Sequence, residues 1–216
     1  MTDPDKLFHS YHIAGVPDWL ADFLGGCGLK FDFRTGPFLA GGSVRRAVQW
    51  NLENYTWKPD KPPDYDVFCH SKNQWEQTCD QLLGIGAELT IENDHYANFV
   101  VEEKDWKIQV VKRKWYESAE KLLSDFDFTI CQFAIDSSCQ LLTIQNSYTH
   151  LALNKLVVNK IDTPLSSFVR LIKYSQQGFH IDGEELVRFM EQCQILLGKN
   201  TVGEWESYIN TQSTNP

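Results

Sequence analysis

The chain has 216 residues, of which 42% are hydrophobic and 13% aromatic, and its formal net charge is −9. This composition supports a packed core and argues against a disordered chain. The acidic balance argues against sequence-independent coating of nucleic acid, because that mode of binding needs many cations that neutralise phosphates. A local basic groove is still compatible with the sequence, since residues 104–115 hold five lysine and arginine side chains with two tryptophans among them.

The six cysteines have no pair at the two-residue separation of a zinc knuckle, so a structural zinc site is not expected. The sequence shows no signal peptide and no apolar run long enough to span a bilayer. These features predict a cytoplasmic protein with reduced cysteines and no membrane partner.

The first 35 residues read as a polar N-terminal arm followed by a short helix, `VPDWLADFLGG`, with Pro17 near its start and two glycines at its end. The stretch `GPFLAGG` (36–42) then predicts a short apolar strand that runs into a glycine turn. Helical spacing follows in `SVRRAVQWNLENY`, where Val44, Val48 and Leu52 share one face. A proline-rich connector, `TWKPDKPP`, separates this helix from a strand, `DYDVFCH` (64–70).

A helix at 73–84 and three antiparallel strands at 87–94, 96–103 and 106–113 are predicted next. Further along, 116–126 has helical spacing, and 127–136 with 140–146 predicts another strand pair. The pattern becomes helical from Pro164 onward, over 164–179, 183–198 and 203–209. We therefore predict an α+β fold in four parts: an N-terminal arm and helix (1–35), a mixed or antiparallel sheet domain backed by helices (36–160), a short helical neck (161–210) and a frayed tail (211–216).

The glycine turn at `GGSVRR` (41–46) has the features of a phosphate site. Backbone N–H groups at the N-terminus of a helix attract anions, and glycine allows a phosphate to approach the backbone closely. Ser43 is placed either to cap the helix or to donate to a phosphate oxygen, and Arg45 and Arg46 lie in the first helical turn. Taken alone, the motif is better explained by an ordinary structural turn with a capped helix.

The stretch `PPDYDVF` places two carboxylates on one face of a strand, because residues i and i+2 of a strand point to the same side. Asp64 and Asp66 would repel each other there, and a divalent cation relieves that repulsion. Magnesium is typically bound by one or two carboxylates together with substrate phosphates. The alternative is a strand start that simply faces solvent.

Together, `GGSVRR` and `DYDVF` resemble the motifs of the DNA polymerase β superfamily of nucleotidyltransferases, in particular the head domain of CCA-adding enzymes and bacterial poly(A) polymerases. Two later stretches resemble segments of the same family: `DFTICQFAID`, starting at Asp127, and `RLIKYSQQGFHI`, residues 170–181, which is similar to the start of the family's neck. The four motifs occur in the family's order.

The resemblance implies a two-metal nucleotidyltransferase that moves a nucleoside monophosphate from an NTP to a hydroxyl group and releases pyrophosphate. Asp64 and Asp66 would hold two Mg²⁺ ions. Asp127 is the candidate third catalytic carboxylate, with a carboxylate that only fixes the local backbone as the alternative. The triphosphate would bind at Gly41, Gly42, Ser43, Arg45 and Arg46. The favoured acceptor is an RNA 3′ end such as that of tRNA, and a protein side chain or a small molecule are the other candidates. Candidate acceptor contacts are Lys107, Lys112, Arg113, Arg170 and Lys173.

Three departures from the family pattern limit what the resemblance implies. The family's third acidic position falls on Gln109, which cannot act as a general base. The family's base-reading motif before the neck corresponds to `TPLSS` (163–167), which has no charge. Too few residues follow the neck for the family's tRNA-gripping domains. A non-catalytic nucleotide- or RNA-binding module that kept the fold is therefore the alternative, and a partner-binding protein without a nucleotide is a third.

Overall fold

The computed structural model describes residues 8–13, 15–53 and 63–197, and within them it has eight strands and seven α-helices. The strands are β1 (Phe8–His12), β2 (Phe38–Ala40), β3 (Tyr65–Phe68), β4 (Glu88–Glu92), β5 (Tyr96–Val101), β6 (Trp106–Val111), β7 (Phe133–Ile135) and β8 (Gln140–Ile144). The helices are α1 (Asp18–Gly26), α2 (Gly42–Leu52), α3 (Lys72–Gly84), α4 (Ala119–Ser124), α5 (Ser147–Ala152), α6 (Pro164–Gln176) and α7 (Gly183–Leu197).

The strands form one mixed sheet in the order β1-β8-β7-β2-β3-β6-β5-β4. Only the β3–β6 pair is parallel in this sheet, and its members are joined through α3 and the β4–β5 hairpin. A parallel pair needs such a crossover connection, whereas the antiparallel pairs can be joined by shorter turns. The structure confirms the predicted α+β fold with a mixed sheet backed by helices.

The two faces of the sheet are covered differently, and this difference positions the candidate site. Helices α1, α2 and α3 pack over one face, where Tyr65 and Val67 of β3 are fully buried. On the opposite face, α4 packs against β2, β7 and β8 through Ala119, Leu122 and Leu123. The neighbouring strands β3, β6 and β5 carry polar side chains on that second face. The face beside α4 is therefore where a ligand site can form.

Residues 8–12, within the predicted N-terminal arm, belong to the sheet. Residues 8–12 form the edge strand β1 and pair antiparallel with β8, and Leu20 and Phe23 of α1 are fully buried in the main core. The sequence did not reveal β1, because an edge strand is held by backbone hydrogen bonds and its side-chain alternation is weak. The domain boundary near residue 35 stays a prediction.

Two other local expectations differ from the structure. The sequence predicts a strand over 127–136, but Thr129–Cys131 form a 3-10 helix and the strand of this segment covers Phe133–Ile135. Helix α5 was not predicted, since six residues are too few to show helical periodicity. The connector around 54–62, the predicted helix over 203–209 and the tail 211–216 lie outside the described residues.

The C-terminal helices α6 and α7 join the sheet domain through aromatic side chains. The ring of Phe128 stacks on Phe189 of α7 at 6.2 Å between centroids and meets Tyr174 of α6 edge-on at 5.8 Å. Both geometries are favourable for aromatic pairs. None of the helices in the described ranges has the length and apolar character needed to cross a bilayer.

Candidate nucleotide site

The glycine turn lies directly against the carboxylate of Asp66. Gly41 has a φ of 85° and ψ of −138°, a conformation open almost only to glycine, and α2 begins at Gly42. The backbone N–H of Gly42 donates to the Asp66 carboxylate. A Cβ atom at Gly41 would lie 3.1 Å from Oδ2 of Asp66. The N-terminus of α2 and the acidic strand therefore meet at one point, as the sequence motifs predict.

The two aspartates are on the same side of β3. Asp64 is exposed and Asp66 is half-buried, while Tyr65 between them points into the core. The Tyr65 hydroxyl donates to the carbonyl of Trp19 at 2.8 Å, and its ring stacks on Phe23. Core packing at Tyr65 thus fixes the direction of both carboxylates, because neighbouring side chains on a strand alternate.

The Asp66 carboxyl carries a charge that its surroundings only partly compensate. Burial and the negative charge of Asp64 raise its pKa to about 7, and Lys173 and Arg170 oppose that rise. In the described part of the chain, no three His, Cys, Asp or Glu side chains come together as a metal-ligating group. Two carboxylates are thus the acidic ligands that this point offers to a cation.

A cavity of about 620 Å³ opens at this point on the second face of the sheet. Its floor is formed by side chains of β3, β5 and β6, one wall by α6, and its far end by the segments after β6 and after α4. Cavities of about 300–1,000 Å³ are typical of small-molecule sites. The residues that line it include Gly41, Gly42, Asp66, Phe68, Tyr96, Gln109, Val111, Tyr116, Phe126, Asp127, Ser166, Ser167, Arg170 and Tyr174.

Gln109 lies immediately beside Asp66, because β3 and β6 pair in parallel with these two residues in register. Its side-chain Nε2 donates to Oδ1 of Asn98 on β5 at 3.1 Å, and Asn98 is its cross-strand partner. The position where the resemblance implies a third carboxylate is therefore occupied by a neutral amide that pairs with a second amide.

Asp127 lies in a loop just before the 3-10 helix and not on a strand, which corrects the sequence expectation. One of its carboxylate oxygens accepts from the backbone N–H of Phe128, and the other accepts from Nε of Arg170. The carboxylate is 8% exposed and faces the cavity. Each of its two oxygens therefore has a hydrogen-bond partner, one in its own loop and one on α6, and a catalytic role for Asp127 stays a prediction.

Three predicted phosphate-contact side chains do not line the cavity. The Arg45 side chain is 3% exposed and donates from Nη2 to Oε1 of Gln177 at 2.8 Å. Ser43 is fully buried, and its hydroxyl has no hydrogen-bond partner among the described residues. Arg46 is half-buried near Asp64, and burial lowers its pKa. The backbone of this turn faces Asp66, whereas the Arg45 side chain turns toward α6.

The five predicted acceptor cations separate into three groups. Arg113 and Arg170 line the cavity. In the same group, the positive charge of Lys173 opposes the rise in the pKa of Asp66. Lys107 is exposed on β6 outside the cavity lining. Lys112 is engaged elsewhere, since its Nζ pairs with Glu92 at 2.9 Å and lies over the ring of Trp75.

The far end of the cavity contains residues that sequence patterns did not single out. Asp125 forms ion pairs with Lys114 and Lys160, and its carboxylate is 18% exposed. Nearby, the rings of Tyr116 and Phe126 each meet Phe68 edge-on. The sequence signal for this end of the cavity is the mixture of cations and aromatic residues in `KRKWYES`. That pattern does not show which aromatic rings pack together in the fold.

A family model described as "Gabija anti-defense 2 family protein" matches residues 16–154, which is most of the chain. The chain belongs to this family. A protein of Bacillus phage SPbetaL7 named "Gabija anti-defense 2" is 26% identical over 135 residues, covering 62% of this chain. The chain spans only about a third (33%) of that relative's length.

Solved structures with the same fold are CCA-adding and tRNA-processing enzymes. The Thermotoga maritima CCA-adding enzyme complexed with tRNA has a TM-score of 0.55 and 20% identity, covering 76% of this chain and 39% of its own. A CCA-adding enzyme in complex with ATP has a TM-score of 0.54 and 17% identity, covering 76% of this chain and 40% of its own. A tRNA-processing enzyme in its apo form reaches 0.55 and 17% identity, with coverage of 87% and 50%. This likeness confirms the nucleotidyltransferase-like head fold.

Proposed function

We propose that this chain is a metal-dependent nucleotidyltransferase that transfers a nucleoside monophosphate from an NTP to a hydroxyl group and releases pyrophosphate. The acceptor that we favour is an RNA 3′ end, such as that of tRNA, with a protein hydroxyl as the other candidate. The observation that supports this proposal is the meeting of the Gly41–Gly42 turn with Asp66 at the mouth of a ligand-sized cavity.

The donor set at β3 suits magnesium. Asp64 and Asp66 are oxygen ligands on one side of a strand, and Asp66 carries a charge that its neighbours only partly compensate. Magnesium prefers such a set when substrate phosphates and water complete its coordination. When bound, the metal would neutralise charge that develops on the transferring phosphoryl group. We expect up to two Mg²⁺ ions, the number that the resemblance to nucleotidyltransferases implies. A metal titration would measure that number.

The chain's own groups give a simple sequence of events. The triphosphate binds at the backbone of Gly41 and Gly42, where the N-terminus of α2 favours an anion. Arg170 and Lys173 add positive charge on the opposite side of the cavity mouth. The acceptor hydroxyl attacks the α-phosphorus, and the bond to the bridging oxygen of pyrophosphate breaks. Because Gln109 cannot accept a proton, the hydroxyl proton leaves to solvent or to the released pyrophosphate.

The test is to incubate the protein with Mg²⁺ and each of four α-labelled NTPs, with total cellular RNA and a cell lysate as acceptors. We expect label to move onto RNA or protein, and the molecule labelled identifies the acceptor class. The Asp64→Asn/Asp66→Asn double variant is the control, because it keeps the side-chain size and removes both charges. Equal labelling by this variant would show that the transfer comes from a contaminant.

A second candidate function is a nucleotide- or RNA-binding module that does not catalyse transfer. The Gln109–Asn98 amide pair beside Asp66 favours it, because a neutral amide occupies the position of the third carboxylate. The family description names an anti-defence role, and both candidate functions are compatible with it.

The two candidates differ in how nucleotide binding depends on metal. We expect NTP binding, measured by calorimetry, to require Mg²⁺ and to disappear in Asp64→Ala if the chain is a transferase. Binding that survives without metal, together with no label transfer for any of the four NTPs, would establish the binding module instead.

A further inference from the structure

The side chain of Arg45 connects two elements that face the cavity from different sides. It leaves the first turn of α2, directly after the glycine turn, and reaches the C-terminal end of α6. Its Nη2 donates to Gln177 at 2.8 Å, and its guanidinium carbon lies 5.3 Å from the ring centre of Tyr174 and 5.1 Å from that of Phe179. We call this group of four side chains the Arg45 clasp.

Three of the four clasp side chains, those of Arg45, Tyr174 and Phe179, are buried, and the partners of Arg45 are neutral. Arg45 is 3% exposed, and it forms no ion pair with an acidic side chain within the described ranges. A buried guanidinium without a carboxylate is costly unless hydrogen bonds and aromatic faces compensate. One amide and two aromatic faces compensate part of that cost, while Nε of Arg45 has no hydrogen-bond partner among the described residues. A lysine ammonium does not present a flat face to the rings.

The clasp continues into the cavity wall through Tyr174. The Tyr174 hydroxyl lies 3.0 Å from Sγ of Cys131, and both residues line the cavity. One turn earlier on α6, Arg170 donates to Asp127. The positive charge of Lys173, the residue before Tyr174, opposes the rise in the pKa of Asp66. The position of α6 relative to α2 therefore determines where the two cations stand with respect to the β3 carboxylates.

We propose that Arg45 is a positioning residue, which holds the C-terminal half of α6 against the first turn of α2 and so sets the position of Arg170 and Lys173 at the candidate site. This role replaces the direct phosphate contact that the sequence implies for Arg45. The proposal rests on the proposed function for its effect on catalysis, but the clasp itself is a structural claim that can be measured without activity.

The experiment compares Arg45→Met, Gln177→Ala and their combination with wild type. Gln177 lies at the far end of the clasp, is exposed and is not among the cavity-lining residues, so a change there reaches the site only through Arg45 or α6. Gln176→Ala is the matched control, since Gln176 is the preceding exposed glutamine and has no part in the clasp. Two readouts are taken: amide hydrogen exchange of residues 167–176, and the kcat and KM for NTP in the labelling reaction.

We expect exchange in α6 to be about tenfold faster in Arg45→Met and measurably faster in Gln177→Ala, with Gln176→Ala like wild type. A small displacement of a substrate-positioning group slows transfer by about 10- to 100-fold, so kcat should fall in Arg45→Met while KM for NTP stays within about threefold. The double variant should be no slower than Arg45→Met, because both changes break one interaction.

A direct phosphate contact gives a different result. In that case Arg45→Met raises KM for NTP, Gln177→Ala has no effect, exchange in α6 is unchanged, and the clasp proposal is wrong. If wild type transfers no label, the proposed function fails on its own, and the exchange experiment still decides whether the clasp holds α6. If Arg45→Met does not fold, the test is the comparison of Gln177→Ala with Gln176→Ala. Identical amide exchange of α6 in those two variants overturns the proposal.

Discussion

Two groups of charged side chains lie at the cavity, and they differ in how far the carboxylate charge is compensated. At the start of β3, Asp66 lines the cavity and Asp64 lies nearby, and burial together with the charge of Asp64 raises the pKa of Asp66 to about 7, a rise that Lys173 and Arg170 only partly oppose. Across the cavity, Asp127 is ion-paired with Arg170 and also accepts a backbone N–H. A bound cation would relieve the repulsion in the first group, whereas the carboxylate of the second group already has a counter-charge.

This contrast shows which acidic residues to assign to ligand binding. All three aspartates belong to motifs that resemble the nucleotidyltransferase family, with Asp64 and Asp66 predicted to bind metal and Asp127 a substitute candidate for the third carboxylate. In the structure both oxygens of Asp127 have hydrogen-bond partners, whereas Asp64 and Asp66 repel each other and are only partly compensated. Four experiments test this contrast, from the largest expected effect to the smallest.

The strongest test of the β3 pair is Asp66→Asn. We expect label transfer to fall by on the order of 10³-fold, because the loss of one metal-binding carboxylate removes several kcal/mol of charge stabilisation in the reaction. The folded state should remain, since asparagine can still accept from the Gly42 N–H. Transfer rates are measured with saturating NTP and Mg²⁺. A rate within threefold of wild type would show that the Asp66 carboxylate has no role in the transfer reaction.

Breaking the paired group should instead affect stability. In Arg170→Met the buried Asp127 carboxylate loses its counter-charge, and we expect the free energy of unfolding to drop by about 2–4 kcal/mol. Urea unfolding measures this. The double variant Arg170→Met/Asp127→Asn should recover about half of the loss, because it removes the unpaired charge. No recovery would mean that Arg170 stabilises the fold by packing and not by pairing.

The glycine turn gives a smaller effect with a close control. Gly41→Ala places a Cβ 3.1 Å from Asp66 Oδ2 at a φ of 85°, and we expect it to lower the free energy of unfolding by about 1–3 kcal/mol. Gly42→Ala has open space at its Cβ and an ordinary φ, so it should change stability by less than about 0.5 kcal/mol. Equal effects of the two substitutions would contradict the conformational argument.

The smallest effect concerns pH. Because the pKa of Asp66 is raised in the folded state, the native chain keeps a proton that the unfolded chain has lost between about pH 4 and pH 7. The carboxylate therefore lowers stability as pH rises through that window in metal-free buffer. We expect the stability of Asp66→Asn relative to wild type to increase by about 1–2 kcal/mol between pH 6 and pH 8.

Urea unfolding of both chains in the presence of a chelator measures this difference, and other titrating groups cancel because the two chains share them. A difference that does not vary with pH would show that Asp66 ionises normally. Added Mg²⁺ should reverse the trend in wild type alone, since only the ionised pair binds the metal.

Much of the fold was predictable from the sequence, because its elements are locally encoded. The glycines after β2, the capped start of α3 at Ser71 and the alternation in β5 and β6 each favour one backbone conformation within a few residues. The edge strand β1 was not predictable in this way, since it exists through pairing with β8, more than 120 residues later in the chain. Helix α5 was missed because a single turn and a half carries no periodic signal.

The sequence by itself determined the site's outline: a glycine turn, two carboxylates on one side of a strand, and a neutral residue at Gln109. Those features follow from the conformational freedom of glycine and the two-residue period of a strand, which act over neighbouring residues. Only the tertiary structure determined which side chains pair with one another. Arg45 binds Gln177 across 132 residues of sequence, and Asp127 binds Arg170 across 43. Such pairings depend on how helices pack against the sheet, so no local pattern could assign one arginine to the α6 clasp and the other to the cavity.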